Sequence, residues 1–122
     1  VEEKTVFLLL RQGRIALRKR PETGLLAGLW EFPNVEGALE EASAAAAVEA
    51  WGLTPLEWRQ KLNARHIFTH VEWEMTGYVL EVRGPGPETF AWVDAEAFST
   101  RAVPSAFARY RAEAERILQE KA

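Results

Sequence analysis

The sequence predicts a mixed α/β fold in one domain, and three observations carry that expectation. Two apolar, β-prone runs, residues 4–10 and 15–18, flank a connection containing Gly13. A stretch rich in alanine and glutamate, residues 37–51, stops at Gly52. An alternating run, residues 70–82, is followed by a break and then an amphipathic tail. Period-two and helical patterning therefore share 122 residues, the size of one ordinary domain.

The first two runs, joined through Arg11-Gln12-Gly13-Arg14, read as a hairpin. Residues 21–33 hold Gly24, Gly28 and two prolines and read as loop despite their leucines. Residues 37–51 favour helix, with Gly52 placed where a left-handed stop is needed. Residues 55–62 return to strand. In residues 70–82, Val71, Trp73, Met75 and Val79 fall on one face and Glu72, Glu74 and Thr76 on the other. Gly84-Pro85-Gly86-Pro87 breaks that strand, and residues 90–93 form a short one after it. Asp94 is placed to cap a helical turn through Phe98. From Ser105 on, Phe107, Tyr110, Ala114 and Ile117 recur at helical spacing with charges between them.

Composition narrows the function. The net charge of −3 excludes a polybasic nucleic-acid domain, leaving room only for a local patch or a loop that reads one base. The chain has no cysteine, so disulfides, thiolate zinc, thiol catalysis and cysteine-held iron–sulfur clusters are excluded within it. Its longest apolar runs, residues 6–10 and 44–48, are too short to cross a bilayer, and no signal segment opens the chain. A cytoplasmic address and no membrane partner follow. The first residue is valine rather than methionine, which is the expectation for a domain cut from a longer chain.

Hairpin, Gly-rich loop, helix, strands and terminal helix, in that order, resemble the Nudix (MutT-like) arrangement, a mixed β-sheet sandwiched between helices. Nudix hydrolases need carboxylates clustered on one helix, because magnesium bridging a diphosphate takes oxygen ligands. With the closing Gly-aliphatic pair of the family signature set on Gly52-Leu53, its paired glutamates become Glu49 and Ala50. Its Arg-Glu pair becomes Ala45 and Ala46, its earlier glutamate Gly37, and its opening glycine Glu31. Glu40 and Glu41 lie two turns away from Glu49, about 12 Å along a helix axis. The expectation is a helix without metal and a fragment without catalysis.

Two segments resemble the C-terminal domain of the MutY adenine DNA glycosylases. Gly28-Leu29-Trp30-Glu31-Phe32-Pro33 matches that family's Gly-Leu-Trp-Glu-Phe-Pro block, a pattern many Nudix proteins share. Arg65-His66-Ile67-Phe68-Thr69-His70 is similar to its Arg-His-x-Phe-Ser-His segment, with threonine where most relatives place serine. Residues 102–106 resemble the short apolar–proline stretch before the family's last helix.

The resemblance implies that residues 1–122 are one Nudix-like domain that recognises 8-oxoguanine in duplex DNA opposite a mispaired adenine. The parent enzyme would be an adenine glycosylase of base excision repair, working at the nucleoid. Its catalytic domain, with an iron–sulfur cluster, lies N-terminal and outside this chain; a monomer with no cofactor of its own is expected here. Phe68, Thr69 and His70 are the implied readers, with Arg65 and His66 beside them. Guanine presents N7 and O6 as acceptors. Oxidation at C8 makes N7 a donor and adds an O8 acceptor, a pair that one hydroxyl can match by accepting and donating. In this view Phe68 is an apolar wedge or stacking face, while His70 and Arg65 reach phosphate. Weak contacts suffice when the partner glycosylase domain tethers the module to DNA. Two alternatives stand beside this: a stand-alone Nudix hydrolase of an oxidised nucleoside triphosphate, and a plain interaction module in which Phe68-Thr69-His70 merely packs.

Overall fold

β1 (Glu2–Arg11) reads as a near-continuous apolar run because both of its faces are buried. In the computed structural model, which describes residues 1–120, it sits at the middle of a mixed sheet. β1 and β2 (Arg14–Lys19) form the expected hairpin, closed by Gln12 and Gly13 at φ 51° and 79°. Two consecutive positive φ values match the right-handed twist of the strands they join. On its other side β1 pairs in parallel with β6 (Glu72–Arg83), and β6 pairs antiparallel with the edge strand β5 (Thr54–Ile67). Three short strands complete the sheet: β3 (Trp30–Glu31) and β7 (Ala91–Val93) lie on β2, and β4 (Asn34–Glu36) lies on β1.

Helices cover both faces. On one, Val6, Leu8, Ile15, Leu17, Trp73, Met75 and Val79 pack under α3 (Ala108–Glu120) and α2 (Ala95–Ser99). The α3 stripe is Tyr110, Ala114, Ile117 and Leu118, preceded by Phe107 in a 3-10 turn, Ser105–Phe107. On the other face, Phe7, Leu9, Tyr78, Leu80 and Val82 pack against Ala44 and Val48 of α1 (Glu41–Ala50). Asp94 caps α2, its Oδ1 accepting from the Ala97 amide at 2.9 Å. No helix among the described residues is long and apolar enough to cross a membrane.

Four expectations shift. The helix expected over residues 37–51 begins only at Glu41, because Gly37 takes φ 97° and residues 37–39 are bound to β1. There the Thr5 hydroxyl donates to the Gly37 carbonyl at 2.7 Å and accepts from the Leu39 amide at 2.9 Å. β5 continues past Leu62 to Ile67, so Arg65 and His66 are strand residues. β6 starts at Glu72, which leaves His70 and Val71 in the turn; Val71 is half-buried. The polar face of β6 is polar only at Glu72, Glu74 and Thr76, after which Tyr78, Leu80 and Val82 turn inward under α1.

Gly77 shows how tightly β6 is held. A side chain there would meet the Tyr110 ring and stand 2.6 Å from the Leu62 carbonyl oxygen. The Tyr110 hydroxyl donates to that same carbonyl at 2.8 Å, tying α3 to β5 across the bare glycine. Burial raises the Tyr110 pKa well above the ordinary phenol value.

Candidate lesion-reading site at the β5–β6 turn

The β5–β6 hairpin closes with the Phe68 amide donating to the Val71 carbonyl at 2.6 Å. Thr69 and His70 form its exposed tip, and neither side chain hydrogen-bonds to another described residue. Their polar atoms are therefore free to meet a ligand.

Below the tip the hairpin is packed by a series of rings. His66 stands edge-on to Phe68, ring centroids 4.6 Å apart at 70°. Phe68 in turn meets Trp73 at 4.9 Å and 71°, and Trp73 meets Phe107 at 5.7 Å. Trp73 is 1% exposed, so this file of rings runs from the tip into the core. Such edge-to-face pairs add about 0.5–1.5 kcal/mol each beyond burial. Phe68 is half-buried and packed within this file of rings, with part of its surface left exposed beside Thr69 and His70.

Strand alternation separates Arg65 from the group. His66 and Phe68 face the α3 side, whereas Arg65 faces the α1 side, where its Nη1 lies 3.9 Å from Glu72 Oε2. There it lines an open groove of about 420 Å³ with Glu3, Asn63, Glu74 and Thr76. The structure thus gathers His66, Phe68, Thr69 and His70 and leaves Arg65 on the opposite face.

A second loop reaches the same end of the sheet. β6 runs parallel to β1 and β2 runs back against it, so residues 20–29 lie at the end where the β5–β6 turn lies. Gly24, Leu26 and Gly28 hold positive φ values of 92°, 58° and 72°, which shape this loop. Arg20 fastens it: its amide donates to the Leu29 carbonyl at 2.8 Å and its Nε to the Leu25 carbonyl at 3.0 Å. Its Nη1 reaches the buried Glu31 carboxylate at 2.7 Å, whose other oxygen takes Arg18 Nε at 2.8 Å. Glu31, the residue in place of the signature's opening glycine, is thereby fully engaged and structural. Nearby, Lys19 and Arg101 lie 5.6 Å and 4.9 Å from the Trp30 ring centroid, a basic cluster on an otherwise acidic chain. Sequence reading missed the Arg20–Glu31 link, although two arginines two residues apart at the end of a strand, with one glutamate in an apolar block, were its signal.

On α1, Ala45, Ala46 and Ala50 stand where the hydrolase signature has Arg, Glu and Glu, and Glu49 is exposed. Among the described residues no three His, Asp or Glu side chains come together to hold a metal ion.

Comparison with known proteins bears on the family and the fold. A NUDIX domain model matches residues 5–113. The chain is 31% identical over 121 residues to the human adenine DNA glycosylase, covering 86% of this chain and 22% of that protein. It is 34% identical over 122 residues to the Arabidopsis thaliana adenine DNA glycosylase, covering 77% of this chain and 19% of that one. The chain thus spans about a fifth of the length of these curated relatives. Among solved structures it resembles the C-terminal domain of mouse MUTYH, seen in complex with human PCNA. That match has a TM-score of 0.70 at 25% identity and covers 98% of this chain and 88% of the mouse domain. It shares its fold with MutT, studied from Aliivibrio salmonicida and Vibrio cholerae, at a TM-score of 0.65 and 18% identity, covering 94% and 97% of the two chains.

Proposed function

The chain belongs to the NUDIX domain family, and from that premise we propose that it reads 8-oxoguanine opposite a mispaired adenine in duplex DNA. The observation that carries this reading is the tip of the β5–β6 hairpin, where Thr69 and His70 are exposed and unbonded above a stack of rings. Thr69 Oγ1 donates to O8 and accepts from N7–H, the two groups that differ between 8-oxoguanine and guanine. His70 donates to a phosphate beside the lesion, and Phe68, held by His66 and Trp73, fixes the height of the tip. Lys19 and Arg101, around Trp30, supply backbone contacts that position without reading sequence. Arg65, on the opposite face, reaches a more distant part of the backbone.

The similarity to adenine DNA glycosylases supports a place in adenine-directed base excision repair. In the proposed whole protein, a separate N-terminal domain with an iron–sulfur cluster extrudes and removes the adenine while this domain holds the opposite strand. That domain is then its first protein partner. The PCNA complex of the mouse domain makes a PCNA-like protein a second candidate. The fold shared with MutT raises hydrolysis of an oxidised nucleoside triphosphate as the rival. Glu49 disfavours it: the other carboxylate of α1, Glu41, lies about two turns away, and a magnesium centre needs several oxygen ligands close together.

Titration of this chain against labelled duplexes containing 8-oxoguanine:adenine or guanine:adenine, at two salt concentrations, tests the reading. Binding should be weak, tighter for the oxidised base, and shallow in its salt dependence, with about two or three phosphates neutralised. Nanomolar binding to undamaged DNA with no preference for the lesion would contradict it.

A further inference from the structure

We propose that Arg20 is a positioning residue that joins the loop of residues 21–29 and the β5–β6 tip into one rigid reading surface. This rests on the lesion-reading function above, and it adds a residue to that function which itself does not touch the base. The Arg20 side chain is only 14% exposed, so its action runs through neighbours. Its Nε and amide hold the loop at Leu25 and Leu29, and its guanidinium lies 5.3 Å from the Trp73 ring centroid. Trp73 meets Phe68 edge to face at 4.9 Å between ring centroids, and Phe68 is covalently next to Thr69. A displacement of the loop moves the guanidinium, the indole it covers and the ring that sets the tip. The path is short, continuous and close-packed, which is how strain is transmitted in protein interiors.

Arginine is required at this position. One planar group binds a carbonyl through Nε, a carboxylate through Nη1 and an indole face together, and an ammonium cannot span the three. Replacing Arg20 does not strand the buried carboxylate, because Arg18 remains on Glu31 at 2.8 Å. The fold is therefore expected to survive Arg20→Lys.

Two measurements on this chain decide the matter. In amide NMR spectra of the free protein, Arg20→Lys should shift residues 24–28 and residues 68–71 together, and Trp73→Phe should shift both groups as well. Shifts confined to residues 24–28 in Arg20→Lys overturn the link, whatever the domain binds. In duplex binding at low salt, Arg20→Lys should lower the preference for 8-oxoguanine:adenine over guanine:adenine by about threefold, in the range of long-range effects on coupling. A purely stabilising role would reduce the active fraction for both duplexes equally and leave that ratio unchanged, which also overturns the proposal. Thr69→Ala separates the two levels. If it lowers the preference and Arg20→Lys does not, the positioning role fails while the reading stands. If the wild-type chain has no preference, the reading fails, and with it any positioning role for Arg20.

Discussion

Phe68 and Trp73 meet edge to face across the neck of the β5–β6 hairpin, with ring centroids 4.9 Å apart. Phe68 is half-buried and Trp73 is 1% exposed, so the two rings carry unequal loads. Trp73→Ala should cost about 3–5 kcal/mol in chemical unfolding, as for other large buried aromatics. Phe68→Ala should cost about 1–2 kcal/mol, the worth of one aromatic pair plus partial burial. Equal losses would mean that Phe68 belongs to the core rather than to the hairpin neck.

The Tyr110 hydroxyl donates to the Leu62 carbonyl across Gly77, in a space with no room for a methyl group. Gly77→Ala should destabilise by at least about 2 kcal/mol through overpacking. Tyr110→Phe should cost about 0.5–1.5 kcal/mol, because it removes a part-buried hydrogen bond. The pH dependence has a definite sign. Because burial raises the folded-state pKa of Tyr110, its stabilising contribution is complete below the ordinary value of 10.0 and is lost as pH rises through the folded value. Wild-type stability should therefore fall more steeply than that of Tyr110→Phe in alkaline unfolding curves. Parallel curves would refute the hydroxyl's burial.

The alanines at 45, 46 and 50 carry a prediction of catalytic silence. The purified chain should not hydrolyse 8-oxo-dGTP or ADP-ribose with magnesium or manganese. Metal-dependent turnover that Glu49→Gln abolishes would restore the hydrolase reading.

Val71 should tolerate a charge better than Val79. It lies in the turn and is half-buried, whereas Val79 is 1% exposed in the middle of β6. Val79→Asp should cost roughly 3 kcal/mol or more, as for other unpaired buried charges. Val71→Asp should cost clearly less in the same thermal unfolding series.

Much of this architecture is legible in the chain because its signals are local. Gln12-Gly13 marks a tight hairpin, Asp94 caps α2, and Phe107, Tyr110, Ala114 and Ile117 trace the buried stripe of the last helix. The far end of β5 is less legible, since an edge strand carrying Asn63, Arg65 and His66 gets its ladder from β6 rather than from its own composition. The late start of α1 depends on Thr5, more than thirty residues upstream of Leu39. For the site, Phe68, Thr69 and His70 stand out through resemblance, but their division of labour does not. Whether Phe68 faces ligand or core depends on Trp73, Phe107 and Arg20, which three-dimensional packing brings together.

The most direct test of the proposed function compares adenine removal opposite 8-oxoguanine and opposite guanine in a full-length glycosylase carrying this domain. A hydroxyl that meets the N7–O8 edge should favour the oxidised base by about 1–2 kcal/mol. Thr69→Ala should therefore lower the ratio of the two single-turnover rates, while adenine removal itself persists. Thr69→Ser, which keeps the hydroxyl, should leave the ratio nearly unchanged. Adding Phe68→Ala and His70→Ala should deepen the loss, because the brace and the second polar group go with them. An unchanged ratio in the triple variant would contradict a lesion-reading role for the β5–β6 tip.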